Sequence, residues 1–346
     1  MTAPLTMPSP SGAALPFITP ALPGLGGFLK EEPGCFVVEE MPLYPPSGEG
    51  PHLYLTLRRA GLTTRQMAED LSRRYNVPAG EIGYAGLKDK WARVTQTFSL
   101  PLSLSGDEAR ALAADAPWEI ISLGRHKNKL KVGHLLGNRF AIVISAPTGA
   151  FEQALAIAEA LKKSGAPNYF GEQRFGKDGD NMLAGLKFLK SGRRGKSWRD
   201  KFLLSSLQSF IYNHYLASRL TGGLFARVLT GDICKKHDTG GLFASENGEL
   251  ETARFLAGEL SHTGPIFGGK MMKPRDEAAE LEMSVLKELD LTEEEIGRAG
   301  SGDRRVNRLL LPDLAVSRGD RGFAFSFSLP KGAYATSVMR EFMKRP

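Results

Sequence analysis

The chain has 346 residues, enough for two domains with hydrophobic cores of their own. Its 45 basic residues outnumber its 38 acidic ones and give a net charge of +7, which suits an anionic partner without requiring one. Two cysteines that lie far apart, Cys35 and Cys234, exclude a disulfide framework or a zinc site and favour a reducing, cytoplasmic environment.

The amino-terminal segment is unusual because its first 29 residues carry no charged side chain. Six prolines between Pro4 and Pro23 interrupt it, so it fits neither a signal peptide nor a membrane helix. We therefore expect residues 1–24 to form a flexible, proline-rich arm. No later segment has the roughly 20 uninterrupted apolar residues of a membrane span.

The region up to residue 164 alternates between strand and helix patterns. The leucines of residues 53–57 alternate with other residues and predict a strand with one buried face, as does the pattern of residues 138–145. Thr63 or Thr64 can cap a helix that runs to Tyr75. A second helix is predicted over residues 151–163, before Gly165.

The pattern then becomes mostly helical. It predicts a long helix over residues 199–220, an acidic helix over 275–289 and, from the spacing of Thr292 and Glu295, a capping box for a further short helix. A strand pattern returns only over residues 323–329. The sequence thus predicts an α/β (α+β) fold, in which a sheet domain of residues 25–164 and 311–346 is interrupted by an inserted domain of residues 165–310.

Asp89 is the first candidate for chemistry. It lies in the segment 83–96, GYAGLKDKWARVTQ, where two glycines allow a tight turn. Lys88 and Lys90 flank the acid and favour its ionised form, which suits a nucleophile or an electrostatic stabiliser. The alternative is an ordinary surface turn with solvated charges.

Basic residues mark two further segments. Lys127, Lys129 and Lys131 alternate, so on a strand they would share one face and could contact a phosphate backbone, although lysines protecting an edge strand would have the same pattern. In the segment 167–176, PNYFGEQRFG, Arg174 could bind a phosphate or a carboxylate. The alternative there is a structural hinge between domains.

Five segments together resemble the TruD family of tRNA pseudouridine synthases. Residues 85–92 match A-G-x-K-D-x-x-A, residues 167–176 match P-N-Y-F-G-x-Q-R-F-G, and residues 126–140 resemble H-x-x-K-L-x-x-G-x-L-x-G-N-x-F. Residues 30–40 resemble K-x-x-P-E-D-F-x-V-x-E, with Gly34 and Cys35 in place of the acidic pair, and residues 329–336 match L-P-x-G-x-[FY]-A-T.

The resemblance implies a site. Asp89 would be the catalytic carboxylate and Lys30 its basic partner. The side chains that hold the target nucleotide would be Phe36, Asn138, Phe140 and Tyr334. The amide of Asn138 both donates and accepts hydrogen bonds and could therefore read a uracil edge. The fold implied is a pseudouridine-synthase-like catalytic domain, with a mixed and largely antiparallel sheet, interrupted by a mostly helical insertion.

The function implied is the isomerisation of a uridine, at position 13 of tRNA, to pseudouridine. The family needs no cofactor or metal, and we expect tRNA as the partner, with no membrane and no obligate protein partner. Whether the carboxylate attacks the sugar, attacks the base or removes a proton is left open. The competing hypothesis is a non-catalytic protein that binds structured RNA, which the retention of both Asp89 and Lys30 disfavours.

Overall fold

The computed structural model describes residues 15–29, 32–176, 179–192, 195 and 197–344. The chain forms two compact units. The sheet unit comprises Leu25–Ala158 and Leu311–Ala333, and the helical unit comprises Met1–Gly24, Glu159–Leu310 and Tyr334–Pro346.

The elements follow one another along the chain. The strands are β1 (Phe36–Pro42), β2 (His52–Arg59), β3 (Gly83–Tyr84), β4 (Arg93–Leu100), β5 (Glu119–His126), β6 (Leu135–Ser145), β7 (Ala166–Pro167), β8 (Ile233–Lys236), β9 (Leu242–Ala244), β10 (Leu260–Ile266), β11 (Asp303–Val306), β12 (Arg308–Leu309), β13 (Ala315–Gly319) and β14 (Gly322–Pro330). The helices are α1 (Thr64–Tyr75), α2 (Gly106–Ala111), α3 (Phe151–Ser164), α4 (Asn181–Lys190), α5 (Trp198–Thr221), α6 (Gly248–Leu256), α7 (Asp276–Glu288), α8 (Glu293–Gly297) and α9 (Ala335–Met343).

The sheet unit is built on one sheet with the strand order β13-β14-β6-β1-β4-β2-β5, and β3 pairs with β4. Among the described strands of this sheet, β1 and β4 pair in parallel and every other neighbouring pair is antiparallel. The prediction of a mixed, largely antiparallel sheet is therefore confirmed.

Helix α1 covers one end of this sheet. The Thr63 hydroxyl accepts from the Gln66 N–H at 3.2 Å, and the Gln66 side chain accepts from the Thr63 N–H at 2.9 Å, which completes a capping box. Met67 and Leu71, four residues apart on one face of α1, are buried in a cluster that also contains Phe98 of β4. The predicted strand-then-helix order is thus confirmed.

The helical unit is centred on α5, whose buried face carries Leu207, Ile211 and Tyr215. The long helix, the acidic helix α7 and the short helix α8, which the Thr292 hydroxyl caps, are all confirmed. The unit also contains a small sheet with the order β11-β10-β8-β9. Sequence patterns did not indicate it, because β10 reads LSHTGPI, with polar residues at fully buried positions and no alternation.

The residues just before the sheet unit belong to the helical unit. The Ile18 N–H donates to Glu341 Oε1 at 3.0 Å, and the Thr19 hydroxyl donates to Oε2 of the same residue at 2.9 Å. Lys344 Nζ donates to Glu341 Oε2 at 3.2 Å. Residues 15–24 are thereby held against α9. Among the described residues, no helix is both long enough and apolar enough to cross a membrane.

Candidate active site

Asp89 lies in the loop between β3 and β4, which we call the Asp89 loop (residues 85–92). The carboxylate is half-buried, and its Oδ1 accepts a hydrogen bond from the Trp91 N–H at 3.1 Å. The carbonyl of Lys90 accepts from the Gly61 N–H at 3.0 Å, so the loop is also tied to the end of β2. The local backbone therefore holds the acid in a defined turn.

Three buried polar side chains support this loop from inside the sheet unit. Gln96 Nε2 donates to the Gly86 carbonyl at 2.6 Å, and the Thr64 hydroxyl accepts from the Lys88 N–H at 2.8 Å. Arg59 Nη2 donates to Gln96 Oε1 at 3.1 Å and to the Thr64 hydroxyl at 3.2 Å. Burial lowers the pKa of Arg59 to about 10. Hydrogen bonds of this kind, shielded from water, hold the loop backbone in place.

Lys88 turns its side chain inward from the loop. Its Nζ lies 2.9 Å from Oε2 of Glu40 on β1 and donates to Oδ1 of Asn138 on β6 at 2.7 Å. The Lys88 and Glu40 side chains are only 6% and 3% exposed. Removing one partner of such a pair would leave an uncompensated buried charge, so the contact fixes the position of Lys88 strongly.

Phe36 and Phe140 lie on the same face of the sheet as Asn138. Strand register pairs Glu40 with Asn138 and Val38 with Phe140, and paired residues share a face. The rings of Phe36 and Phe140 pack edge to face at 6.3 Å, and both residues are buried. The structure thus brings Phe36, Asn138 and Phe140 together on two neighbouring strands, with the two rings in the core.

The lysine-rich segment is not the strand that the alternating pattern suggested. Lys127, Lys129 and Lys131 lie in the connection between β5 and β6, so the expectation that they share one strand face is wrong. The chain turns at Gly133, whose φ of 90° favours glycine, and the Gly133 N–H donates to the Ala85 carbonyl at 2.7 Å. The three lysines therefore belong to a connection that adjoins the Asp89 loop.

Arg174 and Tyr334 belong to the helical unit. Arg174 Nε donates to the Ser209 hydroxyl at 3.0 Å, and its guanidinium lies 5.7 Å from the ring centre of Phe170. The Tyr334 ring lies 6.2 Å from the same Phe170 ring. These two predicted residues thus lie around one aromatic side chain. Lys30 lies outside the described residues.

A comparison with known families decides the relationship of the chain. The family model of tRNA pseudouridine synthase D (TruD) matches residues 16–194 and 199–342. The chain belongs to the TruD family. Members of this family are isomerases that convert uridine to pseudouridine, and tRNA is their substrate.

Individual TruD relatives are similar over almost their whole length. A tRNA pseudouridine synthase D of Thermus thermophilus is 46% identical over 332 residues, covering 95% of this chain and 92% of the relative. That of Anaeromyxobacter dehalogenans 2CP-C is 42% identical over 340 residues, covering 95% and 96%. A crystal structure of a candidate tRNA pseudouridine synthase D from Methanosarcina mazei shares the fold, with a TM-score of 0.77 at 22% identity, covering 98% of this chain and 96% of that one.

Sequence reasoning did not single out several side chains around the Asp89 loop of this TruD chain. Glu40 was only the last position of the motif in residues 30–40, Thr64 was considered only as a helix cap, and Arg59 was not considered. One signal could have found Glu40. Glu40 lies two residues after the buried Val38 in a strand, and so on the same face. The motif in residues 30–40 also specifies an acid at this position. No pattern indicated Arg59.

Proposed function

We propose that this protein converts the uridine at position 13 of tRNA to pseudouridine, with Asp89 as the catalytic carboxylate. The reaction breaks the bond between N1 of uracil and C1′ of ribose and forms a bond from C5 to C1′. The proton on C5 leaves and N1 gains a proton, so the product is an isomer of the substrate. Asp89 acts at the step in which the base is detached from the sugar or rejoined to it.

The observation that carries this proposal is the convergence of three motifs at the Asp89 loop. Glu40, Lys88 and Asn138 come from three separate segments of the family pattern, and Lys88 Nζ contacts both of the other side chains. Such a buried polar cluster is costly unless all its members are paired. It holds the residue next to Asp89 in one place, which is what a positioned carboxylate needs.

The cluster also indicates why a second basic group belongs beside Asp89. Because Lys88 is engaged by Glu40 and Asn138, its ammonium is directed into the sheet. The resemblance assigns the basic partner of Asp89 to Lys30, and we keep that assignment as part of the proposal.

The target uridine must leave its stack before it can reach this loop, at a cost of a few kcal/mol. We propose that Asn138 contacts the polar edge of the base. The rings of Phe36 and Phe140, which pack against each other, would form the apolar wall beneath the base. Tyr334 is assigned to the same nucleotide. Lys127, Lys129, Lys131 and Arg174 are assigned to the RNA backbone, where contacts with phosphates offset the cost of unstacking.

The proposal extends to organisation and location. The catalytic domain would comprise residues 25–164 and 311–346, with residues 165–310 as the insertion. We also propose a cytoplasmic location, which the two widely separated cysteines favour.

The experiment is tritium release from tRNA labelled at C5 of uridine, because the C5 proton is lost only when pseudouridine forms. We expect release from a tRNA transcript with uridine at position 13 and none from a matched transcript labelled at C5 of uridine elsewhere but carrying cytidine at position 13. Binding without release would favour the non-catalytic RNA-binding hypothesis. Release from both transcripts would refute the assignment of position 13 while leaving the synthase activity in place.

A further inference from the structure

The contact between Lys88 and Asn138 fixes which way the Asn138 amide points. An ammonium group has donors only, so the amide atom that faces it must be the acceptor, Oδ1. Oxygen and nitrogen of an amide are often interchangeable on shape alone, but here the chemistry of the neighbour decides. With Oδ1 held 2.7 Å from Lys88 Nζ, the Nδ2 group of Asn138 points away from the ion pair.

Within the described part of the chain, no residue accepts a hydrogen bond from Asn138 Nδ2, and this atom is not sealed from solvent. Asn138 itself is half-buried on β6, two residues before Phe140 and on the same face. Its Oδ1 contact is with the residue next to Asp89. A preorganised N–H donor of fixed direction is therefore available beside the loop that carries the proposed catalytic carboxylate.

We propose that Lys88 is a positioning residue that makes Asn138 a one-way donor to a carbonyl oxygen of the target uracil. The inference rests on the proposed function, because it assigns the polar contact of the same base. Glu40 completes the arrangement by holding the Lys88 ammonium at 2.9 Å, so that Lys88 cannot turn away from Asn138 without leaving a buried carboxylate without its counter-ion.

The symmetry of uracil explains why one donor suffices for the whole reaction. A line through N3 and C6 relates N1 to C5 and also relates the carbonyl at C2 to the carbonyl at C4. Once the bond from N1 to C1′ has broken, a half-turn of the base about this line brings C5 to C1′ and exchanges the two carbonyl oxygens. A donor fixed at one carbonyl position therefore meets an oxygen before and after the turn.

Cytosine does not have this symmetry, because an amino group replaces the carbonyl at C4. In one of the two orientations its amino donor would face the Asn138 donor, and two donors cannot pair. The arrangement therefore discriminates against cytosine whether its carbonyl group or its amino group faces Asn138 first. An amide that rotates freely would not discriminate against cytosine, because it could turn its own oxygen towards the amino group.

The experiment compares conversion rates on tRNA that carries uridine, 2-thiouridine or 4-thiouridine at the target position, because sulfur is a weak hydrogen-bond acceptor. The wild-type protein should convert each thio-substituted tRNA about threefold to tenfold more slowly than the uridine tRNA, the loss expected for one hydrogen bond. Asn138→Ala should be slower on uridine and should treat all three substrates alike.

Variants of the lysines separate positioning from general charge. Lys88→Met should discriminate less than the wild type, because the amide donor is then no longer held towards the base, whereas Lys88→Arg keeps a donor beside Asn138 and should retain the discrimination. Lys90→Met is the matched control, since it removes an exposed ammonium from the same loop, and it should discriminate as the wild type does.

Two results would overturn the inference: equal rates on all three substrates with the wild-type protein, or discrimination that survives in Asn138→Ala. If Lys88→Met fails to fold because Glu40 is left unpaired, Asn138→Ala still decides, since it keeps the Lys88–Glu40 pair. A wild-type protein that converts no uridine at all would refute the proposed function itself. An active protein that converts all three substrates at equal rates would refute this inference alone.

Discussion

The ammonium of Lys88 lies 2.7 Å from the amide oxygen of Asn138, within an ion pair with Glu40 that is almost fully shielded from water. This contact joins the Asp89 loop to β6, and the pairing with Glu40 joins it to β1. Because an unpaired charge is costly at such a depth, the three segments are expected to keep their relative positions while RNA binds and leaves.

Glu40→Gln should destabilise the protein strongly. The substitution keeps an acceptor but leaves the Lys88 charge without a counter-ion in a buried place, so we expect the free energy of unfolding to fall by about 3 kcal/mol. Urea denaturation at pH 7 measures this. The matched control is Glu49→Gln, which breaks the exposed pair with Lys127 and should change stability by no more than about 0.5 kcal/mol. If the free energy of unfolding fell equally in the two variants, the larger effect expected for the buried pair would be contradicted.

Thr64→Val tests the support beneath the Asp89 loop. Valine has nearly the same shape but no hydroxyl, so the Lys88 N–H loses its acceptor and stability should fall by about 1–3 kcal/mol. Hydrogen exchange of the Lys88 amide should accelerate. Thr56→Val, which removes a hydroxyl paired with Thr97 elsewhere in the sheet, serves as the control and should leave that exchange rate unchanged. Unaltered exchange in Thr64→Val would show that the hydroxyl does not hold the loop.

His262 should make the protein less stable in mild acid. Burial, and after it the nearby Arg219, lower the pKa of this imidazole from 6.5 to about 3, so it stays neutral in the folded protein. The unfolded chain takes up a proton below pH 6.5, so the stabilisation is complete above that pH and is lost progressively as pH falls towards 3. The slope is at most about 1.4 kcal/mol per pH unit.

The variant His262→Gln isolates this contribution. Its stability should depend less steeply on pH than that of the wild type between pH 6.5 and 5, as measured by urea denaturation at several pH values. Parallel curves for the two proteins would mean that His262 is not the group responsible.

The assignment of Lys127, Lys129 and Lys131 to the RNA backbone predicts a change in salt dependence. Replacing each by Ala should weaken tRNA binding and lower the slope of log Kd against log salt concentration by roughly one for every phosphate that the variant no longer neutralises. Lys162→Ala is the control, because that lysine lies on α3 and is not among the residues assigned to the RNA backbone. An unchanged slope would remove these lysines from the RNA-binding surface.

Much of the fold could be predicted from the sequence because local signals and burial agree. The possible helix cap at Thr63 or Thr64, and the alternating phenylalanines of β14, each indicated an element whose apolar face is buried in the structure. Strand β10 could not be predicted, because its buried polar residues are satisfied by distant partners; His262, for example, contacts Phe225 and Asn307. Alternation misled at the three lysines, which lie in the connection between β5 and β6 and not on a strand.

The candidate site was predictable only in part. Motifs indicated Asp89 and Asn138 but could not reveal that Lys88 bridges to Asn138, because that depends on which strands pair. The parallel pairing of β1 with β4 places Glu40 near the strand that follows the Asp89 loop. Long-range register of this kind has no signal in a single sequence.

The most direct test of the central claim is tritium release by Asp89→Asn on tRNA labelled at C5 of uridine. The substitution keeps the size of the side chain and an oxygen that can accept from the Trp91 N–H, so the loop should keep its conformation. We predict that the variant binds tRNA with wild-type affinity and releases no tritium above background. Release at the wild-type rate would contradict the assignment of Asp89 as the catalytic carboxylate.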